Sequence, residues 1–84
     1  MKLETRADHL LDITGEVCPL TFVRTRLLIE KMGAGQTLEV RLKGPEPLKN
    51  VPRSVRELGH SVLALVAEPG EPVEGVHRLL IRKT

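Results

Sequence analysis

The amino-acid sequence predicts an α+β fold: a two-layer α/β sandwich in the order β-α-β-α-β-β, with a four-stranded mixed sheet and two helices on one face. Three observations predict it. Residues 37–43 alternate without a break, Leu38, Val40 and Leu42 on one side and Glu39, Arg41 and Lys43 on the other, the period of a half-buried strand. Two segments, 19–32 and 51–58, repeat apolar residues at helical spacing. The chain has 84 residues, enough for one domain and too few for two, so all elements must share one core. Two layers are the economical solution.

The elements follow in order. Residues 1–8 read as a flexible lead to a single domain, and residues 9–13 form a short edge or parallel strand. Gly15 and Glu16 turn the chain. Pro19 suits the first turn of a helix, where its missing N–H falls among donors that are unpaired anyway. That puts Cys18 at the N-cap of a helix running through Met32, with Gly33, Ala34 and Gly35 ending it. After the alternating strand, residues 44–47 read as a turn. Asn50 then serves as N-cap of a second helix with Pro52 in its first turn. Its buried face is Val51, Val55 and Leu58, and Gly59 closes it. Residues 61–67 are almost continuously apolar, which predicts a strand covered along most of its length. Residues 69–72 make a hairpin loop, and residues 76–83 return as the last strand.

Composition narrows the functional classes. The core must be aliphatic, because the chain has one Phe and neither Tyr nor Trp. A single Cys cannot make an internal disulfide, which excludes a stapled secreted scaffold and points to a reducing, cytoplasmic setting. No run nears the ~18 apolar residues of a membrane span, and residues 1–10 lack the apolar stretch of a signal peptide. His9, His60 and His77 have no zinc-site spacing, so no metal site is expected. Asp12, beside the turn, reads as a structural hydrogen-bonding residue. Charge is uneven. Residues 24–56 hold eight basic residues against three acidic ones, whereas 68–74 hold three Glu and no base. The basic segment is a solvated face or a docking surface for RNA or an acidic protein. The interspersed acids and absent stacking aromatics argue against RNA.

The first helix has two apolar stripes. Phe22, Leu28, Ile29 and Met32 form one, with Thr21 and Thr25 inside its arc; Leu20, Val23 and Leu27 form the other. A helix on a sheet buries about one such arc. The second stripe either covers the neighbouring helix or stays exposed beside Cys18, with Arg24 at its border, as a docking patch. At least two of Leu20, Val23 and Leu27 are expected in solvent. A thiol at a helix N-terminus gains acidity from the macrodipole and from unpaired backbone N–H groups.

Asp12-x-x-Gly15-x-x-Cys18-Pro19, the helix ending at Gly35, the alternating strand, Val51-Pro52, Gly59-His60 and the ending Leu80-Ile81-Arg82-Lys83 resemble the TusA/SirA-like sulfur-carrier family. The resemblance spans roughly residues 11–83. It implies that Cys18 carries sulfur as a covalent persulfide, with no cofactor, and that Pro19 starts the helix. It also implies a cysteine desulfurase or rhodanese-like donor and an acceptor protein. The sulfur would serve tRNA 2-thiouridine synthesis, with tRNA an indirect partner, or sulfur oxidation or cofactor sulfuration. A monomer is expected. The sequence departs from the family's Cys-Pro-x-Pro at Thr21, which restores an N–H and adds a hydroxyl. It also departs in the turn before the second helix, where the family often has acidic residues and this chain reads Lys43-Gly44-Pro45-Glu46-Pro47. The rival reading is a non-catalytic regulatory or RNA-binding module using segment 24–56.

Overall fold

The computed structural model describes residues 7–16 and 20–84. Its elements are β1 (His9–Asp12), α1 (Leu20–Lys31), β2 (Thr37–Leu42), α2 (Pro45–Glu57), β3 (Ser61–Ala67) and β4 (His77–Arg82), the predicted order. The sheet runs β1-β2-β4-β3. β1 is parallel to β2, and β4 is antiparallel to both β2 and β3. One face carries Leu38, Val40, Leu42, Leu79 and Ile81, all fully buried, under Ile29 of α1, Met32 just past its end, and Val51 and Val55 of α2. Register explains the sharing: Val40 lies beside Leu11 on β1 and Leu79 on β4, so one strand's apolar face continues into the next.

α1 buries the stripe expected of it. Ile29 and Met32 are in the core, with Phe22 and Leu28 packed against it. Thr21 and Thr25 are fully buried on the same side. The Thr25 hydroxyl donates to the Thr21 carbonyl at 2.8 Å, which removes the cost of a buried unpaired hydroxyl. The Lys83 ammonium reaches from the end of the last strand to the carbonyl of Met32 at 2.8 Å, a cation on the negative end of α1.

Four expectations need correction. The second helix starts at Pro45, not after Asn50. Its N-cap is Gly44, at φ 99 and ψ 153, and Leu48 N donates to Gly44 O at 3.1 Å. Pro45 falls within the first turn, where a missing N–H costs nothing. Pro52 is therefore interior, its ring on the buried face with Pro47, Val51 and Val55. Leu58 sits at the C-cap and is 45% exposed, because Gly59, at φ 95, turns the chain away one residue later. Asp8, placed in a flexible lead, is tied to β2: Thr37 N donates to its carboxylate at 2.9 Å. β3 is an edge strand rather than a covered one, with Leu63, Leu65 and Val66 exposed. An apolar run does not distinguish an interior strand from an edge that simply lacks charged residues.

Candidate functional site

The segment before α1 is held by a side chain at the end of β1. One Asp12 carboxylate oxygen accepts from the Thr14 backbone N–H at 2.9 Å and from its hydroxyl at 2.7 Å. This is an Asx-type turn, in which a side chain replaces a backbone carbonyl. The other oxygen accepts from Arg41 Nη1 at 2.8 Å. Ile13, 1% exposed, anchors the turn in the core and donates its N–H to the Arg41 carbonyl at 2.9 Å. The Thr14 bonds, and then the Arg41 guanidinium, hold the Asp12 carboxyl below the usual carboxylate range.

Arg41 also connects outward. Its Nε donates to Glu68 at 2.8 Å, and Arg78 Nε reaches the same carboxylate at 3.1 Å. The two guanidinium groups hold Glu68 down at about 2. Five charged side chains, Asp12, Glu39, Arg41, Glu68 and Arg78, thus tie β1, β2, β4 and the end of β3 together on the face without helices. A depression of about 300 Å³ opens on that face, lined by Leu10, Leu11, Asp12, Glu39 and Arg41.

Gly15, also in the turn, is exposed and has no positive φ. An added Cβ would meet nothing within 4 Å. The position therefore does not need glycine for its backbone. On α1, Val23 and Leu27 are 40% and 54% exposed, so the second stripe reaches solvent as expected. Arg24 is held back toward the turn by an ion pair with Glu16 at 2.7 Å. Cys18 and Pro19 lie outside the described residues, as does the side chain of Leu20, the first residue of α1. Among the described residues no group of three or more His, Cys, Asp or Glu could hold a metal ion. No described helix is long and apolar enough to cross a membrane.

The sequence brought Asp12, Gly15 and Arg24 forward but missed Thr14, Arg41 and Glu68. A Thr two residues after an Asp is a visible Asx-turn signal. The Arg41 contacts join residues 27 and 29 apart, and only the strand register reveals them.

The family's sequence model, described as "Sulfurtransferase TusA", matches residues 9–83, which is every strand and helix described above. The chain belongs to the TusA family of sulfur carriers. It is 44% identical over 62 residues to the "Putative sulfur carrier protein" of Archaeoglobus fulgidus, covering 74% of this chain and 70% of that one. The "Putative sulfur carrier protein MJ0990" of Methanocaldococcus jannaschii is 30% identical over 73 residues, covering 87% of this chain and 91% of that one. The crystal structure of a SirA-like protein from Desulfitobacterium hafniense superposes with a TM-score of 0.74 over 88% of this chain and 95% of that one. At 20% identity that likeness concerns the fold. In this TusA-family chain the Asp12–Thr14 turn and the start of α1 bracket a short connection that contains the one cysteine.

Proposed function

We propose that this chain relays sulfane sulfur as a persulfide on Cys18. One observation carries the reading: the chain's one thiol falls in the connection between a pinned turn and the first residue of a helix, in a TusA-family chain. A thiolate is the nucleophile, and a helix N-terminus favours it. The Cys18 thiolate attacks the outer sulfur of a donor persulfide. The donor's S–S bond breaks, the donor leaves as a thiolate, and Cys18 holds the transferred sulfur with its proton. An acceptor thiolate attacks that outer sulfur in turn and releases the Cys18 thiolate. No electrons are gained or lost overall, so the chemistry calls for no oxidant and no cofactor.

The absence of a second cysteine supports a carrier, because a persulfide beside a resolving thiol collapses to a disulfide. A cysteine desulfurase or a rhodanese-like enzyme fits as donor and a thiol-bearing protein as acceptor, with tRNA thiolation, sulfur oxidation or cofactor sulfuration downstream. Exposed Val23 and Leu27 are an apolar surface on the helix that follows Cys18, suited to docking. A lone thiol that must stay free suits a reducing compartment, so the relay is read as cytoplasmic.

The test is intact-mass spectrometry after incubation with a desulfurase and cysteine, or with a rhodanese and thiosulfate. The expected product is heavier by about 32 Da, loses that mass to reductant, and does not form in Cys18→Ser. No adduct from either donor would overturn the reading.

A further inference from the structure

Among the described residues the sheet ends on β3, and that end is open. β3 bonds to β4 on one side only, and its seven residues include no charge and no proline. Charges and prolines are the usual protection of an edge against pairing with another chain. Leu63, Leu65 and Val66 are 44%, 41% and 59% exposed there.

The hydrogen-bond phase identifies the free backbone groups. Glu68 N donates to Val76 O at the end of the β3–β4 ladder. Bonded residues alternate along an antiparallel pair. Val66 and Ala64, opposite Arg78 and Leu80, therefore turn their N–H and C=O toward β4. Leu65 and Ala67 turn theirs outward.

We propose that β3 pairs with β3 of a second copy of this chain, antiparallel about a twofold axis through Leu65. In that register Leu65 of one protomer meets its partner's Leu65, and Ala64 meets its partner's Val66. The outward-turned groups then meet one another. The faces also agree: Ala64 and Val66 both stand on the helix-free face, beside Leu80 and Arg78, and Leu65 stands on the other, beside Leu79. A slip by one residue would pair side chains from opposite faces. A twofold through Val66 would also join outward-turned groups, those of Leu65 and Ala67, but would pair only residues 65–67 of β3, whereas the axis through Leu65 pairs residues 63–67. A twofold through Ala64 would bring Val62 and the bulge into the ladder. The bulge between Val62 and Ala64 confines the ladder to the C-terminal part of the strand.

Charge favours the same arrangement. Antiparallel pairing runs the β3–β4 loop of one protomer past the α2–β3 junction of the other. The loop carries Glu71 and Glu74, both exposed, in a stretch, residues 68–74, that holds no base; one Glu71 oxygen accepts from the Val76 N–H at 3.0 Å. Arg53 and Arg56 are exposed near the end of α2, and Arg56 makes no ion pair among the described residues. The interface is small, below the ~1,200 Å² of a standard one, so the association is reversible. It departs from the expected monomer because the strand expected to be covered is open.

The experiment is sedimentation velocity over a wide concentration range, on Cys18→Ser so that Cys18 disulfides play no part. A concentration-dependent dimer is expected. Leu65→Lys, which sets like charges across the twofold, should raise its dissociation constant about tenfold or more while far-UV circular dichroism stays unchanged. Val66→Lys substitutes if that variant does not fold. Register is read by oxidising Leu65→Cys in the Cys18→Ser background, since bonded pairs place Cα atoms ~5.5 Å apart, within disulfide range. A covalent dimer should form there and not from Val73→Cys, which is 90% exposed on the loop. A chain that stays monomeric throughout, or Leu65→Cys crosslinking no better than Val73→Cys, overturns the proposal.

Discussion

Asp12 and Glu68 divide the work on Arg41. Asp12 turns one oxygen to the Thr14 turn and the other to the guanidinium, so the chain leaving β1 is fixed to β2 before it reaches Cys18. Glu68 accepts from Arg41 and Arg78, which hold its carboxyl near 2 against an ordinary 4.5. A carboxylate depressed in the folded state stabilises it fully above its unfolded value and loses that contribution as pH falls. Glu68 therefore contributes stability above about pH 4.5 that disappears as pH falls through about 2. Glu68→Gln should be less stable than the parent chain at neutral pH, and the gap should close between those values. Urea melts at a series of pH values check this, and a gap independent of pH would count against the ion-pair account. Salt should narrow the neutral-pH gap as well, because Arg41 and Arg78 are about half exposed. The Asp12 turn was legible in the sequence because its partner is two residues away. The Glu68 cluster was not, because its members come from three separate strands and a loop.

Element boundaries show where local signals compete. Both Gly44-Pro45 and Asn50 are reasonable helix starts in sequence, and the glycine wins because its conformation is open to no other residue. At φ 99 and ψ 153 it lies in a region reserved almost wholly for glycine. Its N–H also donates to the Glu74 carbonyl at 2.9 Å, fixing the start of α2 to the β3–β4 loop. A Cβ there would meet only Pro47 at 3.5 Å, an ordinary contact, so the cost of alanine is in the backbone. Gly44→Ala should destabilise the domain by about 1–3 kcal/mol. Gly15→Ala, with no positive φ and open space around it, should stay within about 0.5 kcal/mol. Comparing their urea midpoints tests the distinction, and equal losses would refute it. For α1 the two-stripe pattern read correctly, with one stripe in the core and Val23 and Leu27 in solvent. The apolar run of β3 misled, since the position of a strand in a sheet depends on pairings that lie outside it.

The whole molecule rests on one aliphatic core, and that core was the most legible feature of all. The period of β2, the α2 face at Val51 and Val55 and the inner stripe of α1 each placed side chains that meet there. What the sequence left open was the strand order, because β4 enters between β2 and β3 and joins both halves of the sheet. Leu79 is at that junction, beside Val40 on one side and Leu65 on the other, and fully buried. Truncating it removes contacts to β2, to β3 and to the helix layer at once, and neither sheet half can close the gap alone. Leu79→Ala should cost about 2–5 kcal/mol. A domain of this length has a total stability of roughly 4–13 kcal/mol, so the loss is a large share of it. The melting temperature should fall by about 10–30 °C. Because both sheet halves and both helices share the core, the transition should stay single, with far-UV dichroism and amide protection in α1 lost together. Val73→Ala, on the exposed loop, should leave it within about 0.5 kcal/mol of the parent. If β1, α1 and β2 kept their protection while β3 and β4 melted in Leu79→Ala, the molecule would be two weakly coupled halves rather than one cooperative domain.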